Sequence, residues 1–349
     1  MTHSPSLKYV GDGTLAAHRT RDLGIMALLG LLLVASMGLS LALGSFPTPF
    51  GKVLHALAAP EDSDIAFIVR ELRLPRIVLA VLVGAALAVA GAILQGIVRN
   101  PLASPDVIGI TSGAAMAAVA FLAIFGTGLS IHWLPAAALL GALLSALLVF
   151  LLAWKRGITP SRLVLVGIGL SAAMGAVTTL LIVISDDAAA MAAYVWLTGS
   201  LYAAQWQDVL GMLPWLLVAV PLCLTRARHM DAMALGDHVA QGLGVNVLRS
   251  RLVLMACSVA LAGAAVAFAG GLSFVGLIAP HIAARLVGRG LARLVPAAAL
   301  IGALIVLYAD LLGRVAFLPE DLPAGIFVSG VGAPFFVYLL HRTRVVTRG

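Results

Sequence analysis

The sequence predicts an all-α, polytopic membrane protein with about ten transmembrane helices and both termini in the cytoplasm. Three observations predict it: an apolar excess, its grouping into long runs, and a lopsided distribution of Lys and Arg among the connecting loops. Hydrophobic residues make up 62% of the 349 and charged ones 11%, with a mean hydropathy of +1.08. A soluble domain carries about 45–50% apolar and about 25% charged residues. The surplus has no use in water.

A helix needs about 20 mostly apolar residues to cross a bilayer. Runs of that kind fall at about 25–44, 77–97, 107–126, 133–153, 163–184, 209–225, 252–271, 273–289, 295–313 and 323–341. The first, Ile25 to Leu43, exceeds the roughly 7–15 apolar residues of a signal peptide, although Ala42-Leu43-Gly44 mimics a cleavage site. It reads as an uncleaved helix after a cytoplasmic tail, 1–24. The membrane domain then spans 25–341, with a second tail at 342–349. Residues 252–289 form one weakly polar stretch, too long for a single span, which divides at Gly270-Gly271; Pro280 predicts an irregular or kinked eighth span.

With both ends inside, seventeen of the 22 Lys and Arg fall in cytoplasmic segments and five outside: Lys52, Arg70, Arg73, Arg76 and Arg314. Positive charge in short loops marks the cytoplasmic side. This topology also absorbs the net charge of +7 and pI near 10. The basic residues are scattered through short loops and build no basic face for nucleic acid. Cys223 and Cys257 lie inside apolar runs, as buried free thiols would, with no disulfide framework or metal site. Small residues, as in Gly84 to Gly91 and Gly141 to Ser145, allow helices to approach closely.

The residues exclude several chemistries. No G-x-x-x-x-G-K-[ST] phosphate loop is present, so any ATPase driving transport is another polypeptide. No HExxH, Ser–His or paired-Asp set marks an intramembrane enzyme, and no catalytic residue is assigned. His281 and Asp310 are intramembrane ionisable groups, which would suit a proton-coupled secondary transporter. Asp310 stands four residues before Arg314, however, the spacing of an ion pair on one helix.

The longest cytoplasmic loop, 226–251, holds two short amphipathic stretches separated by Gly242 and Gly244. Met230, Met233, Leu235, Val239 and Leu243 can line an apolar side, with Asp231, Asp237 and Gln241 elsewhere. Such a segment could lie on lipid or sit in a groove on a partner.

Six segments carry a resemblance: MALGDHVAQGLGV (233–245), LRLPRIVLAVLVGAALAVAGAILQG (72–96), RNPLASPDVIGITSGA (99–114), SRLVLVGIG (161–169), GGLSFVGLIAPHIAAR (270–285) and LPAGIFVSGVGAPFFVYLL (322–340). Taken along the chain and over nearly all of 65–341 they resemble the ABC importer permeases for ferric siderophores, haem and vitamin B12. The wording of NPLASPDVIG and GSLYAAQW is most similar to the ferric catecholate-siderophore branch, of the enterobactin type.

That resemblance implies a bacterial inner-membrane permease that passes a ferric siderophore from periplasm to cytoplasm, haem and cobalamin being the alternatives. It implies a second permease, homo- or heterodimeric, two cytoplasmic ATPases holding ATP-Mg, and a periplasmic binding protein. Arg73, Arg76 and Arg314 match positions that accept acidic residues of the docked binding protein. Met233, Leu235, Gly236, Asp237, Gln241, Gly242 and Gly244 match the ATPase-coupling loop. Asn100, Leu102, Thr159 and Ser161 match turns that narrow the cytoplasmic exit; Pro160 departs from the small hydroxyl residue expected there. The aromatic stretch 194–206 matches a short helix over the external mouth, and its rings also fit an interfacial belt.

Overall fold

Each of the ten apolar runs is a helix in the computed structural model, which describes residues 12–44, 46–58, 64–106, 108–125, 130–154 and 160–346. The helices are α1 (Asp12–Ala42), α2 (Phe50–Ala58), α3 (Asp64–Phe67), α4 (Leu74–Val98), α5 (Ile110–Phe125), α6 (Leu134–Ala153), α7 (Pro160–Ile184), α8 (Asp187–Leu197), α9 (Trp206–Thr225), α10 (Ala227–Ala234), α11 (Asp237–Gly242), α12 (Val247–Ala269), α13 (Val275–Val287), α14 (Leu291–Val315) and α15 (Ala324–Val346). No strand occurs among the described residues. Lipid cannot hydrogen-bond an exposed backbone, so a chain this apolar has to satisfy its peptide groups within helices.

Among the described residues, seven helical segments are long and apolar enough to cross a membrane: Thr20–Ala42, Asp64–Val98, Ile131–Ala153, Ser161–Ile184, Trp206–Thr225, Val247–Ala269 and Leu291–Val315. Four further apolar helices are shorter, at Ile110–Phe125, Asp187–Leu197, Val275–Val287 and Ala324–Leu339. Most helices outrun the apolar runs that announced them. α1 begins at Asp12, inside the expected tail, and α15 continues to Val346. Propagating a formed helix into polar sequence is cheap compared with nucleating one.

The expected division at Gly270 is present. α12 stops at Ala269, Gly270 adopts φ 70°, and the chain runs non-helically to Phe274, itself at φ 66°. The irregularity of the eighth segment therefore lies before α13, whereas Pro280 sits within that 13-residue helix.

The centre of the bundle is α4 packed against α12, α13 and α14, with most of α4, α12 and α14 buried. α1 lies outside α14, α5 and α6 form a hairpin beside α12, and α7 packs on the far side of α5. The central contacts are glycine-mediated, as the small-residue runs anticipate. A Cβ on Gly91 would overlap the Gly276 carbonyl, one on Gly84 the Gly302 carbonyl, and one on Gly141 the Gly113 carbonyl. Backbones that touch in this way gain dispersion energy where lipid offers no hydrophobic drive. Both cysteines are free and buried.

Candidate functional sites at the two ends of helix α4

At one end, α4 is preceded by a π-helical stretch, Ile68–Arg73, continuous with α3. This wider turn supplies Arg70 and Arg73, and Arg76 follows in the first turn of α4. Arg73, Arg76 and Arg314 are each only 7% exposed. Arg76 donates Nε to Asp310 Oδ1 at 2.8 Å and grips Asp321 with both terminal nitrogens, at 2.6 and 2.9 Å. Its guanidinium also stands 6.0 Å from the centre of the Tyr202 ring. Arg314 Nε lies 3.1 Å from Asp310 Oδ2, the i,i+4 pair the spacing announced. Both members of this ion pair are buried.

Arg73 and Arg314 also close the end of α1. Arg73 donates to the Leu41 carbonyl at 2.7 Å and the Phe46 carbonyl at 2.6 Å; Arg314 donates to the Ser40 hydroxyl and, at 3.4 Å, its carbonyl. The last carbonyls of a helix lack partners within it and carry partial negative charge. Two arginines supply both the donors and the compensating charge. All three guanidinium groups expected to meet a partner are thus engaged within the chain. Exposed charges on the adjoining segments include Glu71 and Glu320, and Lys52 of α2.

At the other end, Arg99 terminates α4 in a left-handed conformation, φ 55°. Its side chain pairs with Asp237 at the start of α11, and Arg251 at the start of α12 reaches the same carboxylate at 3.1 and 3.2 Å. Burial pushes the Asp237 carboxyl up, but Arg251 and Arg99 outweigh it and hold it below the ordinary carboxylate range. Gly236, at φ 122°, makes the corner between α10 and α11, and Gly244, at φ 80°, ends α11. Both conformations favour glycine.

The apolar residues of this loop do not share one side, as the sequence reading had them. Met230 and Met233 turn inward and are buried, Met230 against Gly96 of α4. Leu235, Val239 and Leu243 point outward and are 68%, 49% and 64% exposed. Gln241 and Gly242 are exposed beside them. Docking the loop on the bundle requires one apolar face; the second is left for something else.

Asn100 and Ser161, from different turns, line one cleft of about 470 Å³ with Val98, Val164, Leu165 and Ile168. Asn100 Oδ1 accepts from the Leu102 amide at 2.9 Å and shapes the turn. Leu102 itself is directed toward Leu277, Ile278 and Leu339. Thr159 lies outside the described residues. Of the two intramembrane ionisable groups, Asp310 has its arginines, and His281 meets the Phe335 ring edge-on at 5.8 Å. The short helix expected in the aromatic stretch 194–206 lies mostly before it: α8 covers only 194–197 of it, 198–205 are non-helical, and Trp206 Nε1 donates to the Arg70 carbonyl at 3.1 Å. Sequence reading missed Ser40, Asp321 and Arg251 as partners: the first two act across the fold, and Arg251 reaches Asp237 from the next helix, beyond any single turn.

The FecCD transport family profile matches residues 31–342. The chain belongs to the FecCD transport family. Among its relatives, the achromobactin transport system permease protein CbrC of Dickeya dadantii (strain 3937) is 51% identical over 92% of both chains. The Fe(3+)-citrate import system permease protein YfmE of Bacillus subtilis (strain 168) is 46% identical, covering 92% of this chain and 95% of the relative. The ferric enterobactin permease FepG of Escherichia coli (strain K12) is 38% identical over 85% and 89%. A solved metal-chelate type ABC transporter in an inward-facing conformation superposes with TM-score 0.80 at 32% identity, covering 91% of this chain and 99% of that one. This FecCD-family chain is therefore a multi-pass permease subunit of the bacterial inner membrane, and no enzyme in its own right.

Proposed function

We propose that the chain is the membrane-spanning subunit of an ATP-driven importer for a ferric siderophore. The observation that carries the cargo is the 51% identity to an achromobactin permease along nearly the whole length. Iron–citrate and enterobactin permeases follow at lower identity. In this reading ten helices span the bilayer and both termini are cytoplasmic. A second permease packs along α7, whose outward face carries the small residues Gly169, Ala172, Ala173, Gly175 and Ala176. Such faces suit close helix pairing.

Two ATPases holding ATP-Mg dock on the exposed face made by Leu235, Val239 and Leu243, with Gln241, Gly242 and Gly244 shaping its edge. A short apolar helix in a groove is a common mode of recognition. The clamp on Asp237 ties this face to α4 and α12, so a push on the loop moves two central helices. At about 1.5 Å per residue, α4 carries that displacement over roughly 35 Å. Its far end bears Arg76. There a carboxylate of the periplasmic binding protein engages Arg76 by taking the place of Asp321, the more exposed of its two partners. The turns that carry Asn100 and Leu102, and Thr159 and Ser161, narrow the exit, with Asn100 and Ser161 lining one cleft.

The test is reconstitution in proteoliposomes with the ATPase and binding protein. Uptake is compared for ferric achromobactin, ferric citrate, ferric enterobactin, haem and cobalamin. ATP-dependent uptake of a ferric siderophore is the expected result. Uptake driven by a proton gradient without ATP would replace this reading with a secondary transporter, and selective haem or cobalamin uptake would replace the cargo.

A further inference from the structure

Where α4, α10, α13 and the start of α14 meet, they enclose a cavity of about 420 Å³. Its lining is unlike the rest of the bundle: Arg99, Arg285 and Arg289 supply three positive charges, Gln95 and His281 are polar, and Asp231 is the single acid. Asp231 is already used, since its Oδ1 accepts from the Leu291 amide at 3.0 Å. Arg99 is shared with Asp237. Arg285 and Arg289 are exposed, and neither has an ion-pair partner among the described residues. Arg285, in the last turn of α13, also feels the negative end of that helix. That stabilises one charge and leaves the second, beyond the helix end, unexplained.

Helix α1 lies beside this cavity, against α13 and α14. Arg21 of α1 donates to the Leu286 carbonyl at 3.4 Å, beside Arg285, and Arg293 pairs with the buried Asp22 at 2.8 Å. The arginine rim thus continues onto α1, a helix buried along only 17% of its apolar window. On α1, Leu23, Leu28 and Leu31 are 57%, 66% and 68% exposed. An anionic head at Arg285 and Arg289 would leave its acyl chains on this apolar strip.

We infer that this cavity binds the phosphate of an anionic phospholipid. Guanidinium forks match phosphate oxygens in pairs, and basic pockets between membrane helices are suited to acidic lipid heads. A soluble anion would use the same charges but has no use for the strip on α1. An acidic protein partner beside α10 would meet the same arginines but, like a soluble anion, would make no use of the strip on α1. The inference needs only that the chain sits in a membrane and is independent of the cargo and docking partners.

The test uses the full chain with its co-purifying subunits, delipidated in detergent. Thermal stability and lipids retained in native mass spectrometry are followed on adding phosphatidylglycerol, phosphatidylcholine or inorganic phosphate. Phosphatidylglycerol is expected to bind and stabilise, with phosphatidylcholine and phosphate ineffective. R285Q/R289Q should weaken phosphatidylglycerol binding at least about tenfold, while the charge-matched R228Q/R249Q, at exposed arginines elsewhere, should not. Equal binding of phosphatidylcholine, an equal effect of inorganic phosphate, or an equal loss in R228Q/R249Q would overturn the inference. So would unaltered lipid binding in R285Q/R289Q accompanied by loss of the ATPase subunits, which would assign these arginines to a protein contact.

Discussion

Arg76 Nε and Asp310 Oδ1 stand 2.8 Å apart, joining α4 to α14 with the Asp310 side chain wholly buried. Asp310 is also within 3.1 Å of Arg314, so one carboxylate balances two guanidinium groups. Removing one member of a buried ion pair costs about 3–5 kcal/mol, because the partner stays behind uncompensated. Asp310→Ala is accordingly expected to be among the most destabilising single substitutions at this end of the bundle. Asp310→Asn, which keeps one acceptor for Arg76, should cost less. Thermal unfolding of the detergent-solubilised protein ranks them; equal loss for the two would mean that shape rather than charge sets the cost.

Asp321 answers differently because its side chain is 27% exposed, whereas that of Asp310 is wholly buried. Pairs open to water contribute about 0–1 kcal/mol. Asp321→Asn should therefore leave stability nearly unchanged while freeing Arg76 for a carboxylate on a docking protein. Tighter docking is the expected measurement, by surface binding to the purified binding protein. The double substitution Arg73→Glu and Arg76→Glu is a poor substitute, since it places acids beside the α1 carbonyls and Asp310. Weaker docking in Asp321→Asn would assign Asp321 itself to the contact and remove the exchange at Arg76.

At the opposite end, Asp237 has its proton affinity lowered by Arg251 and Arg99. A carboxyl whose folded pKa is depressed contributes stability above its unfolded value, about 3.9, and loses that contribution as pH falls through the folded value. The loop 230–245 should therefore stay clamped through mild acid and loosen only below about pH 4. Asp237→Asn should loosen it at neutral pH. Amide exchange across α10 and α11 reads this directly, and in the transporter ATP hydrolysis should continue with less uptake per ATP. Unchanged exchange in Asp237→Asn would remove the clamp from the mechanism.

The bundle was legible in the sequence because lipid imposes one rule on every span, and the division at Gly270 followed from length alone. What the periodicity could not convey was direction. Met233 and Leu235 are two residues apart in one apolar pattern, yet one is buried and the other 68% exposed. The inward side of α10 is set by α4, where Met230 of the same helix packs on Gly96, more than a hundred residues away. The arginines show the same limit. Arg73 and Arg76 stood out as charges beside an apolar run, but their partners Leu41, Asp310 and Asp321 are contributed by other elements. Asp310 and Arg314 alone announced their contact, because a helix turn joins them. Site chemistry within one turn was readable; chemistry assembled across helices was not.

Gly91 and Gly30 give a prediction in which the same substitution has opposite signs. Both lie inside helices, where Gly→Ala gains about 1 kcal/mol of helix propensity. At Gly30 a Cβ meets nothing within 4 Å, so Gly30→Ala should be neutral or mildly stabilising. At Gly91 the new methyl would fall on the Gly276 carbonyl, with the Gly276 Cα 2.7 Å away. Those are backbone atoms with no rotamer to change, and Gly276 is itself wedged between the Leu87 carbonyl and Pro105. α13 must therefore move off α4 as a unit. Overpacking of this kind costs about 1–3 kcal/mol or more, which exceeds the propensity gain. Thermal unfolding in detergent should place Gly91→Ala clearly below the parent protein and Gly30→Ala at or above it. Because α4 also links Arg76 to the Asp237 clamp, Gly91→Ala should reduce uptake even at temperatures where the variant stays folded. If Gly91→Ala matches Gly30→Ala in stability and transport, α4 and α13 do not meet backbone to backbone, and the rigid connection between the two ends fails with them.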